Sequence, residues 1–228
     1  MNELVLYDVI GQDMFGAGIT AKDIKAQIDG FGEVDEITVR INSPGGDVFE
    51  GLAIYNLLAE HPATITVKVD GYAASIASVI AMAGDTVTMA ANALFMIHNP
   101  YTFAFGDSAD LRKTADVLET VKASLITTYQ TKATADDNEL SNLMDSETWF
   151  NAEQSIEHGF ATAKTGTDAK LSNLAGFKWL NHAPVIPDAP EPDTKPPVDY
   201  RLAALARSLA IDSARVDITR ARLALKAG

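Results

Sequence analysis

Three short stretches hold residue types that can do chemistry together. The first is VDGYAASIAS, Val69 to Ser78. A β-branched run gives way to glycine and small residues, with Ser75 at the switch from strand to helix. A hydroxyl there lies among orphan backbone N–H groups, whose field favours an alkoxide or a nearby oxyanion. Ser75 therefore reads as a nucleophile or as a plain helix cap. The second stretch is FMIHNP, Phe95 to Pro100. His98 follows an apolar run and precedes Asn-Pro, a turn signal, so it stands at a strand end. Carboxyl ends of parallel strands are where α/β sheets build their sites. A serine nucleophile needs a neutral imidazole to take its proton. A structural histidine is the competing reading. Of the other histidines, His61 and His158 fall on helix ends and His182 lies in a proline-rich run. The third stretch is NSPGGDV, Asn42 to Val48. Gly45 and Gly46 let the backbone approach a ligand closely with free N–H groups. An oxyanion hole needs only such donors, and a tight turn needs nothing more. The lack of a G-x-x-x-x-G-K-[ST] pattern or a nearby lysine speaks against a phosphate cradle.

These stretches need elements to position them. Strands are expected at Leu4–Ile10, Glu36–Ile41, Ala63–Val69, Thr86–Met89 and Ala93–Ile97. Helices are expected at Ala21–Ile28, Val48–Ala59, Ala74–Ala83, Ser108–Lys132, Asp136–Met144 and Ala152–His158. Asp47 with Glu50 is a helix-start signal, and Gly84 and Gly159 are helix stops. Strands alternate with helices, so the fold class is α/β with a largely parallel sheet. The aromatics Tyr101, Phe103 and Phe105 alternate, as in a strand with one packed face. The core domain is expected to span residues 1–180. Residues 181–200 form a linker, since His182 to Tyr200 holds six of the nine prolines. Residues 201–228 form a basic helical tail of net charge +4 behind a body of −17.

The net charge of −13 sets the bulk surface against nucleic acid and anionic membrane. With no cysteine, disulfides, thiolate metal sites and a cysteine nucleophile are excluded. The acidic start MNELVLYDVIG lacks the pattern of a signal peptide. A cytoplasmic location is the expectation.

INSPGGDVFEGLAIYNLL, GYAASIAS and FMIHNP together resemble the Clp protease proteolytic subunit family, ClpP, over Leu4 to Lys164. Within it, the similarity is strongest to ClpP-like proteases of phage and prophage head-assembly modules. The resemblance implies a repeated ββα spiral of the ClpP/crotonase kind, here with a C-terminal helical appendage. It implies a serine endopeptidase with Ser75 as nucleophile, His98 as general base, and Gly46 and Ile76 as oxyanion donors through their N–H groups. The family's acid lies two residues before an aromatic. With Trp149 as that aromatic, Glu147 is the acid; with a short slip, Asp145 is. Gly45, Tyr101 and Phe103 are the implied substrate-binding residues. No metal or cofactor is implied. The implied partners are polypeptides, with capsid or scaffold proteins as substrates, and copies of the same chain in a ring.

The short N-terminus and added tail weaken the expectation of an ATPase partner. Two other readings remain. One is an acyl-CoA hydratase or isomerase on the same spiral, where backbone donors act without a serine nucleophile. The other is a scaffolding component with a decayed triad.

Overall fold

The computed structural model describes residues 2–12 and 17–166. The expected linker and basic tail lie outside the described residues. Five parallel strands lie side by side in this order: β1 (Glu3–Leu6), β2 (Glu36–Ser43), β3 (Thr64–Ala74), β4 (Thr86–Ala90) and β7 (Ala163–Thr165), with β2, β3 and β4 built on β-branched runs. β5 (Leu94–Ile97) pairs in parallel with the end of β3, and β6 (Thr148–Asn151) pairs antiparallel with β5. β3 is long enough to fork. Thr66–Val69 pair with β4, and Tyr72–Ala74 pair with β5. Gly71 sits between the two, where a Cβ would lie 2.4 Å from Asn42 Oδ1.

The helices are α1 (Ala21–Phe31), α2 (Val48–Ala59), α3 (Ile76–Ala81), α4 (Ser108–Tyr129), α5 (Asp137–Asp145) and α6 (Ala152–Glu157). The α/β class with a parallel sheet is the one expected, and it is consistent with the ClpP-like fold. Asp47 caps α2 by accepting from the Phe49 and Glu50 N–H groups. Glu50 does not close a capping box. Its carboxylate reaches the Ala21 N–H instead and ties α1 to α2. One apolar core joins the sheet to α1, α2 and α3, with Leu4, Val39, Ile54, Val67, Val79 and Phe95 fully buried. α4 differs. Its early turns are exposed, and it is anchored by Leu125, Ile126 and Tyr129 at its end.

Three expectations are corrected and two strands are added. β1 ends at Leu6, and Ile10 forms isolated bridges with Ile19 and Gly46. α3 begins at Ile76, because Ala73 and Ala74 are held in the sheet by Phe95 and Met96. β6 and β7 were not anticipated; at four and three residues they are made by pairing rather than by pattern. The stretch 101–105 is not a strand. β5, the strand that precedes it, already has β3 on one side and β6 on the other and offers it no free edge. Tyr101, Phe103 and Phe105 are 70%, 90% and 97% exposed.

α2 and α3 meet at Gly51, where a Cβ would lie 2.1 Å from Ile76 Cγ1. Gly51→Ala should therefore destabilise the fold by about 1–3 kcal/mol. Urea unfolding checks this through a lowered midpoint at unchanged slope.

Candidate active site

Sheet register builds the site. The β3–β5 pairing sets Ala74 opposite Met96, and the Ser75 N–H donates to the Met96 carbonyl at 3.0 Å. Ser75 is the first residue past β3, and His98 the first past β5. Their side chains meet, with His98 Nε2 2.8 Å from Ser75 Oγ. Ser75 makes no side-chain cap bond to α3. Its hydroxyl faces the imidazole instead, the geometry a general base requires.

Ser75 turns sharply, with φ 56° and ψ −130°. A non-glycine residue in such a region costs on the order of 1–3 kcal/mol, and such strain clusters at functional sites. Among the described residues the other non-glycine with positive φ is Glu147, at 46°. Glu147 follows the last turn of α5, a position where a left-handed glycine is usual. Its turn brings Oε2 to 3.7 Å from His98 Nδ1. That is ion-pair rather than hydrogen-bond distance. The Trp149 indole N–H reaches Glu147 Oε1 at 3.4 Å.

Asp145 is directed elsewhere. It accepts from Asn99 Nδ2 at 2.7 Å and from Lys122 Nζ at 2.6 Å. The Asn99 bond and the Lys122 ammonium hold its carboxyl below the usual carboxylate range. Asp145 thus braces α5 against α4 and against the residue after His98. Glu147 and not Asp145 is brought to the imidazole.

Burial pushes the His98 pKa below the ordinary 6.5, while Glu147 pulls it upward and is outweighed. The imidazole is therefore neutral at pH 7, as a proton acceptor from serine must be.

The Gly45-Gly46 turn presses against the serine. A Cβ on Gly45 would lie 2.7 Å from Ser75 Cβ and 3.1 Å from the Ile76 nitrogen. Ile10 bridges this turn through the Gly45 carbonyl and the Asp47 N–H. The Gly46 N–H stays outside that ladder. The Ile76 N–H opens α3, where no intrahelical acceptor exists for it. The Ile76 N–H is thus next to Ser75 in the chain, and Gly46 follows the glycine that packs against Ser75.

A groove of about 250 Å³ runs beside them, lined by Gly46, Phe49, Tyr101, Val117, Leu118 and Val121, among others. Tyr101 also meets His98 edge-on, at 5.8 Å between ring centres. Of the expected substrate contacts, Tyr101 lines the groove, Gly45 lies behind it against Ser75, and Phe103 points to solvent at 90% exposure. Sequence reasoning did not single out Phe49 or the α4 residues Val117, Leu118 and Val121. The i, i+4 spacing of Val117 and Val121 on an otherwise polar helix was the available signal. His61 and His158 are engaged elsewhere, His61 accepting from the Ala63 N–H and His158 stacking on Phe160. No three His, Asp or Glu side chains converge as a metal-binding group among the described residues, and no described helix is long and apolar enough to cross a membrane.

A parallel α/β sheet that sets a serine against a histidine at adjacent strand ends defines a class of hydrolase-like proteins. Comparison with known families narrows it: the Clp protease family profile matches residues 20–164, and the chain belongs to that family. It is similar to the ATP-dependent Clp protease proteolytic subunit of Bacteroides thetaiotaomicron, at 31% identity over 145 residues, 61% of this chain and 66% of the relative. The Bacteroides fragilis protein of the same name is 31% identical over 145 residues, 61% of this chain and 70% of the relative. Proteolytic subunit 1 of Streptomyces avermitilis is 32% identical over 126 residues, 54% of this chain and 58% of the relative. The chain thus spans about two thirds or less of most of these relatives. Each of these relatives is named a proteolytic subunit.

The histidine environment gives a measurable sign. Imidazole NMR should place the His98 pKa below 6.5. Glu147→Gln removes the one stabilising charge on the imidazolium, so the pKa should fall further. Asp145→Asn should shift it less than Glu147→Gln does.

Proposed function

We propose that this protein is a serine endopeptidase with Ser75 as nucleophile, His98 as general base and Glu147 as the orienting acid. The contact that carries the reading is Ser75 Oγ to His98 Nε2 at 2.8 Å, beside a glycine turn that leaves backbone donors available. His98 takes the hydroxyl proton as Oγ adds to the scissile carbonyl. The Gly46 and Ile76 N–H groups hold the oxyanion. His98 then gives its proton to the leaving amine, leaving the acyl group on Oγ. Water repeats the cycle and frees the serine. Glu147 stabilises the imidazolium that forms in each half.

The apolar groove supports a preference for an apolar side chain next to the cleaved bond. An acyl-CoA hydratase or isomerase has no use for a serine hydrogen-bonded to a histidine. A decayed scaffold has no use for strain kept at both Ser75 and Glu147. Self-association is part of the proposal, since Phe103, Phe105 and Leu111 leave apolar side chains exposed on residues 101–105 and the start of α4. A cytoplasmic location and capsid or scaffold substrates complete it. The substrate proposal rests on the sequence resemblance to phage-encoded members.

A fluorophosphonate probe should label the wild type on Ser75. Hydrolysis of an unstructured polypeptide should fall at least 10³-fold in Ser75→Ala. Equal turnover in wild type and variant would contradict the proposal.

A further inference from the structure

Beneath Ser75 lies a buried polar relay that the acyl-transfer scheme does not use. The Ser75 carbonyl accepts twice from Ser78, from its N–H at 3.0 Å and from its Oγ at 2.5 Å. Ser78 Oγ also lies 2.7 Å from the Tyr129 hydroxyl. Ser78 is 0% exposed and Tyr129 1%. A serine hydroxyl has one proton. Donated to the Ser75 carbonyl, it leaves only lone pairs for Tyr129, so the tyrosine must be the donor. Burial holds the Tyr129 phenol protonated, well above the ordinary tyrosine range. The direction is therefore fixed: Tyr129 O–H to Ser78 Oγ, Ser78 O–H to the Ser75 carbonyl.

The far side of that carbonyl matters. A trans peptide is planar, and its C=O and N–H point in opposite directions. Whatever holds the Ser75 carbonyl therefore aims the Ile76 N–H. Ser75 has the strained φ and ψ given above, so this peptide plane does not keep its orientation by local preference. Chained donors on a carbonyl also polarise the amide and strengthen its N–H.

We infer that Ser78 and Tyr129 are positioning residues that orient the Ser75–Ile76 peptide and so aim and strengthen the Ile76 oxyanion donor; this rests on the serine peptidase reading. Tyr129 closes α4, and its ring packs edge-on against Phe160. One helix thus supplies both a groove wall, through Val117, Leu118 and Val121, and the donor that starts the relay.

The test uses the full chain as wild type, Ser75→Ala, Ser78→Ala, Tyr129→Phe and the Ser78→Ala/Tyr129→Phe double variant. Peptide kcat and KM are measured, with the inhibition constant of a peptide aldehyde and the melting temperature. Ser78→Ala should lower kcat about 10–100-fold, somewhat less than deleting an oxyanion donor outright. KM should stay within about twofold, and the aldehyde, whose adduct carries the oxyanion, should weaken in step with kcat. Tyr129→Phe should give a smaller loss of the same kind, because Ser78 still donates. The double variant should match Ser78→Ala in kcat, since Tyr129 acts only through Ser78. It should melt no lower than Ser78→Ala, which leaves a buried phenol without a partner. The inference is overturned if kcat and aldehyde affinity stay within about twofold in both single variants. It is also overturned if their losses multiply in the double variant or follow the melting temperature alone. Those outcomes leave the peptidase reading intact as long as Ser75→Ala is inactive. A wild type no faster than Ser75→Ala removes that reading and this inference together.

Discussion

The register of β5 against the end of β3 is the constraint on which the site depends. Ala73 pairs with Phe95 and Ala74 with Met96, and the Ser75 N–H then closes on the Met96 carbonyl. Neighbouring parallel strands lie roughly 5 Å apart, so residues just past the two ends are within side-chain reach. A shift of one residue would turn His98 to the other face of the sheet. The fork at Gly71 serves the same end. It releases β3 from β4 so that its last residues can pair with β5.

That register is fixed, and strain supplies the remaining aim. Ser75 and Glu147 both adopt backbone conformations that glycine would fill more easily. Glycine at either position would remove the group that faces the imidazole. α3 is only six residues long, so its dipole is a small influence on Ser75. The contact with His98 and the nearby backbone donors are the larger one. Around them the bracing is polar and indirect: Asp145 ties α5 to α4 and to Asn99, and Trp149 reaches the Glu147 carboxylate.

Much of this was legible in the sequence because its signals are local. The Val48–Ala59 helix is observed with the bounds expected, since Asp47 marks its start. Ser75 was found at a switch from strand to helix, His98 before an Asn-Pro turn, and the two glycines as the break after a strand. What was not legible is set by pairing at a distance. Ala74 was expected to open a helix, and pairing with β5 makes it the end of a strand. TWFN and AKT are too short to show a period. The alternating aromatics of residues 101–105 look like a strand, yet no strand pairs with them and their side chains are exposed. Two acids competed for the place behind His98. The turn at Glu147 toward His98, and the partners of Asp145 from α4 and the residue after His98, separate them in space.

A crystal structure of the protein with a peptide boronate tests the central claim most directly. The account predicts a bond from boron to Ser75 Oγ. One boronate oxygen should lie within hydrogen-bond reach of the Gly46 and Ile76 N–H groups, with the adjoining apolar side chain in the groove beside Phe49, Tyr101 and Val121. A boronate bound to another residue, or an adduct on Ser75 whose oxygens face solvent, would contradict it.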